Sequence, residues 1–140
     1  MDADTVAAVD RLLHRSITEK VIGLFFDVYN ELGPGFLESV YFGALAVALA
    51  QAGMRFRREA LLEVVFRGVV VGTFRADLLV EEKVVVEAKA ARAIDPAHES
   101  QLLNYIRASR FEVGLLLNFG RQPKFRRMAY SQPEYPRSSA

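Results

Sequence analysis

The sequence predicts an α/β fold in which a mixed β-sheet is flanked by helices. Three observations carry this. Two stretches with helical spacing of apolar residues come first, a β-branched and aromatic run with alternation follows, and a further helical stretch leads into a short apolar segment. The order is helix, helix, three strands, helix, strand. A length of 140 residues with 51% hydrophobic content suits one domain, residues 1–140, with a core over about 16–121. The tail, residues 122–140, holds three of the five prolines and is expected to be peripheral or disordered.

The first helix is expected from about Ile17 to Leu32. Ser16 followed by Glu19 has the capping-box spacing, and Val21, Ile22, Leu24, Phe25, Val28 and Leu32 repeat at helical intervals before Gly33-Pro34-Gly35 stops the chain. The second starts near Leu37 and runs through the alanine-rich "ESVYFGALAVALAQAG" to Gly53. Strands follow near Leu61–Phe66, Val70–Val80 and Lys83–Ala90, turning at Arg67-Gly68 and Glu81-Glu82. "PAHESQLLNYIRASR" fits a helix and "EVGLLLNFG" a buried strand.

Composition excludes several classes. Without cysteine the chain can form neither a disulfide framework nor a thiolate zinc site, so any metal is held by oxygen or histidine nitrogen. "MDADTVAAVDR" lacks the basic start and apolar core of a secretory signal, and no apolar run approaches the ~18 residues needed to span a bilayer. A cytoplasmic protein without a membrane partner is expected. With 18 basic against 17 acidic residues the net charge is +1, so any nucleic-acid surface must be local.

The stretch "FRADLLVEEKVVVEAKA" reads as a hairpin, and its charges raise the question of function. With a three-residue turn at Glu81–Lys83, Val80 pairs with Val84, Leu78 with Val86 and Ala76 with Ala88, making one apolar face. The same register puts Asp77 opposite Glu87 on the other face, with Lys89 two residues on; a two-residue turn would instead put Asp77 opposite Ala88. Adjacent carboxylates repel unless a cation lies between them, and hard divalent ions such as Mg²⁺ or Mn²⁺ take such oxygen ligands. Two carboxylates, a metal and a lysine are the parts of phosphodiester hydrolysis. Among solvated charges on an exposed hairpin edge, the same residues would carry no chemistry.

Two helices add polar groups. Glu38 falls in the first turn of the second helix, with Tyr41 on the same face, and His98, Gln101 and Tyr105 form one stripe on the third, so Tyr41, His98 and Tyr105 are candidate substrate contacts. A glutamine beside two carboxylates and a lysine would orient water or a phosphate oxygen. Arg55, Arg57 and Arg58 in "MRFRRE", and Arg121, Lys124, Arg126 and Arg127 in "RQPKFRR", are candidate phosphate contacts, each set interleaved with phenylalanine.

"GFLESVY" matches a Gly-x-x-Glu-x-x-Tyr signature, and "FRADLLV", "VVVEAKA" and "AHESQLLNYI" follow in order. In these four blocks, between about Ser16 and Gly120, the chain resembles the GxxExxY family of the PD-(D/E)xK nuclease-like superfamily. The resemblance implies a restriction-endonuclease-like core and a metal-dependent nuclease acting on DNA or RNA. By position, Asp77 and Glu87 would be metal ligands, Lys89 the catalytic lysine, Glu38 an additional acidic group and Gln101 the helix residue facing the site. Ala76 stands where the superfamily often has proline. Two other organisations stay open: a noncatalytic nucleic-acid- or protein-binding module that keeps the fold, and a subunit whose cleft is completed by a homodimer or another partner.

Overall fold

The computed structural model describes residues 13–131. The reading of the first residues as lacking a secretory signal therefore lies outside the described residues. The elements are α1 (Arg15–Leu32), α2 (Glu38–Gln51), β1 (Phe56–Phe66), β2 (Val69–Val80), β3 (Val84–Lys89), α3 (Pro96–Ala108), β4 (Val113–Phe119) and β5 (Pro123–Ala129). The five strands form one sheet in the order β1-β2-β3-β4-β5, antiparallel except for the parallel pair β3–β4. A parallel pair requires a crossover, and α3 supplies it. No helix among the described residues is long and apolar enough to cross a membrane.

The two faces of the sheet are buried separately. Against α1 and α2 lie Leu78, Val80, Val84, Val86, Ala88 and the odd positions Val113, Leu115, Leu117 and Phe119 of β4. Against α3 lie Ala60, Leu62, Ala76, Leu79, Val85 and Leu116. With both faces covered, every residue of β4 is buried, which explains its unbroken apolar run. Gly114 is part of this fit: a Cβ there would come within 2.3 Å of Ile106 Cδ1 on α3.

Several expectations change in detail. Ser16 does not cap α1: the helix begins at Arg15, with His14 at the N-cap in the left-handed region at φ 52°, and Glu19 pairs with Arg15 at 2.7 Å instead. A side chain already engaged one turn along cannot also reach back to the cap. The segment after Gln122 is not a loose tail through its first part. Pro123–Ala129 pairs with β4 along its whole length and closes the sheet, with Phe125 packed edge-to-face on Phe26 of α1. Its arginines obscured the alternation in the sequence. Ala76 does not continue the face of Leu78 and Val80 but joins the α3 side.

The start of α2 is anchored from inside the core. Tyr41 is fully buried, stacks on Phe119 with ring centroids 4.6 Å apart, donates its hydroxyl to Gly33 O at 2.5 Å and accepts from Phe36 N–H at 3.3 Å. One phenol thus ties the loop between α1 and α2 to the end of β4. Tyr41→Phe keeps the stack and removes both bonds. It is expected to cost about 1–2 kcal/mol, read as a lower urea midpoint at unchanged m-value.

Candidate metal and phosphate site

The β2–β3 hairpin positions the acidic pair. Glu81 and Glu82 occupy the left-handed region at φ 54° and 55°, Lys83 N–H closes the turn on Val80 O at 3.0 Å, and Val80 pairs with Val84. This is the three-residue turn, so Leu78 faces Val86 and the next positions in register are Asp77 and Glu87. The backbone ladder ends at Leu78–Val86. Beyond it β2 stays with β1 while β3 stays with β4, so the two strands part between the carboxylates.

Parting strands leave backbone donors without partners, and a buried N–H without an acceptor is costly. Asp77 supplies the acceptor: its Oδ2 takes the N–H of Ala88 at 2.8 Å. Glu87 lies two residues from Val85 and so shares its face, the α3 side. It is only 8% exposed, and its Oε1 is buried without a hydrogen-bond partner. Burial, and then the adjacent Asp77 charge, push the Glu87 carboxyl up to about 9, while Lys89 pulls it the other way.

A buried carboxylate oxygen with no donor, beside a second carboxylate, is a site that wants either a proton or a cation. The donor set is oxygen only, which fits a hard divalent ion and not a soft one. Among the described residues no group of three or more histidine, aspartate or glutamate side chains is gathered into a cation cluster, so Glu38 stands apart from the pair. Glu38 is exposed in the first turn of α2, one turn before Tyr41.

Lys89 ends β3 on the face of Glu87, half-buried, and neighbours Asn118 across the parallel ladder. On α3, Asp95 caps the helix by accepting Ala97 N–H at 2.8 Å, and Leu102 and Ile106 are buried against the sheet. This turns Gln101 to solvent and leaves His98 half-buried. Tyr105 is stacked on Phe74 of β2 at 4.1 Å, three positions before Asp77, so the far end of the stripe is packed over the acidic strand. Tyr41, placed among the substrate contacts by sequence, is enclosed in the core with its hydroxyl bonded to backbone.

The first arginine set is occupied. Arg55 pairs with Glu81 at 3.2 Å, Arg57 grips both oxygens of Glu82 at 2.6 and 3.0 Å, and Arg58 lies over the ring of Phe42 at 4.6 Å. Arg57 holds the Glu82 carboxyl below its ordinary range. The two ion pairs stand at the turn end of the hairpin, about 10 Å along β3 from Glu87 at about 3.3 Å per residue, whereas Arg58 lies opposite Leu78, the neighbour of Asp77.

One functional part was not singled out in the sequence. Asn118, 1% exposed, donates to Ala91 O and accepts from Ala91 N–H, both at 2.9 Å. Gly120 lets the backbones approach, because a Cβ there would meet Ala91 O at 2.3 Å. The two residues fix the exit of β3 directly after Lys89. An amide inside an otherwise apolar strand was the visible signal.

A family model described as the PD-(D/E)XK nuclease superfamily matches residues 15–128. The chain belongs to the PD-(D/E)XK nuclease superfamily. Its mixed sheet with flanking helices is the fold expected of this superfamily, and members generally use divalent metals. The solved structure of SSO0001 is similar to this superfamily member at 22% identity and a TM-score of 0.51, over 69% of this chain and 52% of the other. The chain thus spans about half the length of that protein, and the likeness concerns the fold alone. No curated protein matches significantly.

The raised Glu87 sets a pH dependence. A carboxyl that holds its proton more tightly folded than unfolded adds stability that is complete below its ordinary 4.5 and is lost as the pH rises through about 9. Without metal, stability should fall across that window by up to about 1.4 kcal/mol per pH unit. Denaturation midpoints measured in chelator at several pH values check this, and Glu87→Gln should flatten the slope. Separately, Asn118→Ala should cost about 2–3 kcal/mol by stranding both backbone groups of Ala91.

Proposed function

We propose that this chain is a divalent-metal-dependent nuclease that hydrolyses phosphodiester bonds, of the GxxExxY kind named by its "GFLESVY" signature. The observation that carries the proposal is the unpartnered, buried Glu87 Oε1 beside Asp77, with Lys89 on the same face. Asp77 and Glu87 would hold Mg²⁺ or Mn²⁺. A hard ion bound there supplies Lewis acidity toward a phosphoryl oxygen and lowers the pKa of a water.

The chain's own residues do the rest. Asp77 has one oxygen committed to Ala88 N–H, which fixes its carboxylate plane and leaves the other oxygen for the ion. An ion held there would give the buried Glu87 Oε1 the partner it otherwise lacks. Lys89 places an ammonium where negative charge develops on the reacting phosphate. Gln101, at the surface of α3, is the residue to orient water or a phosphate oxygen.

Calorimetry with Mn²⁺ and Mg²⁺, together with cleavage of labelled DNA and RNA by the same samples, tests this reading. The wild type should bind metal and cut. Asp77→Ala should lose metal binding and cleavage together, whereas Lys89→Ala should keep metal binding and lose about 10²-fold or more in rate. A folded wild type that binds nucleic acid but neither metal ion would overturn the reading and leave a noncatalytic binding module.

A further inference from the structure

The double clamp on Ala91 has a consequence one residue later on each chain segment. Asn118 and Gly120 bring the exit of β3 against the exit of β4, so Arg92, which follows Ala91, lies beside Arg121, which follows Gly120. Both line one open groove with Ile94, Lys124 and Arg126. The Arg121 carbonyl is held by the hydroxyl of Tyr29 at 2.5 Å, which fixes the β4–β5 turn to α1.

The register relates this groove to the acidic pair. Lys89 is paired with Asn118 across β3–β4, and Asn118 with Lys124 across β4–β5, so Lys89, Asn118 and Lys124 form one row and point to the α3 face. With strands about 4.8 Å apart, Lys124 stands roughly 10 Å from Lys89 at the backbone. Arg126 faces the same way and is paired with Glu99 of α3 at 3.3 Å. Arg92, Arg121 and Lys124 are exposed and make no ion pair with a described residue.

In a chain whose net charge is +1, three unpaired cations converging on one groove are not a background of excess base. In the other exposed basic cluster Arg55 is paired with Glu81 and Arg57 with Glu82, while Arg58 lies over the ring of Phe42. Arg127, one position beyond Arg126, points to the opposite face of the sheet, where it donates to Leu13 O. The groove therefore retains its attraction for a polyanion, whereas the hairpin turn does not.

We propose that Arg92, Arg121 and Lys124 form a phosphate cradle that holds the nucleic-acid backbone alongside the reacting phosphate and so positions the strand over Asp77, Glu87 and Lys89. The cradle rests on the reading that the chain acts on nucleic acid, but it works by charge alone and needs no metal. It moves the substrate contact from the first arginine set, Arg55, Arg57 and Arg58, to the β4–β5 turn.

The test is fluorescence anisotropy with labelled single-stranded DNA and RNA 16-mers in EDTA, at several NaCl concentrations. It compares wild type, Arg121→Gln/Lys124→Gln, and Arg55→Gln/Arg57→Gln, the last two losing equal charge. The cradle variant should bind at least one probe about tenfold more weakly at low salt, and its log–log salt slope should shrink by about 1.4, or 0.7 per lost contact. The control should change less than about twofold. Equal weakening in both variants, an unchanged cradle variant, or no binding by the wild type would each overturn the proposal. Cleavage is scored separately: a cradle confirmed without cleavage removes only the nuclease reading, and cleavage with an unaltered cradle variant removes only the cradle.

Discussion

The site depends on the parting of β2 and β3 immediately after Leu78 and Val86. If the ladder continued, Asp77 and Glu87 would be two like charges pressed together on a closed sheet surface, a destabilising pair with nothing to relieve it. Parting opens space between them at the cost of an unpaired backbone donor, and the Asp77 side chain removes that cost by taking the N–H of Ala88. One aspartate therefore completes the sheet and lines the site. The same parting carries β3 away with β4, which is what places Lys89 next to Asn118.

Much of this was legible in the sequence because strands have a period of two. Once a three-residue turn was assumed at Glu81–Lys83, the partner of every hairpin residue followed, including Asp77 and Glu87. The helices α1 and α3 were legible from residues spaced three and four apart. What escaped were features set by tertiary contacts. β5 reads as a basic tail because Lys124, Arg126 and Arg127 interrupt Phe125 and Met128. The change of face between Ala76 and Leu78 coincides with a gap in the β1–β2 ladder at Asp77, opposite Glu59 in the left-handed region at φ 51°, which no local pattern encodes.

The candidate site was legible in its acids and less so in its bases. Seven basic residues in two clusters were plausible phosphate contacts by type. Type does not say whether a guanidinium is already paired, and pairing is decided by which strand ends meet. Glu81 and Glu82 fall beside Arg55 and Arg57 only because β1 runs antiparallel to β2 and returns to the hairpin turn. Arg92 belongs to the groove only because Asn118 and Gly120 hold its neighbour. Tyr41 shows the reverse: a residue with a substrate-binding side chain by type, committed to the core by its stack on Phe119.

The separations along the chain also set the entropic cost of assembling the site. Asp77 and Ala88 are 11 positions apart, joined by a hairpin, whereas Ala91 and Asn118 are 27 apart and meet only after α3 has crossed over. Closing a loop costs about 0.6 kcal/mol more for each doubling of its length, and parallel pairing adds the delay of a crossover. The acidic half of the site is thus built from near neighbours and its basic groove from distant ones, so bringing the carboxylates together costs less chain entropy than bringing together the cations that would draw a phosphate toward them.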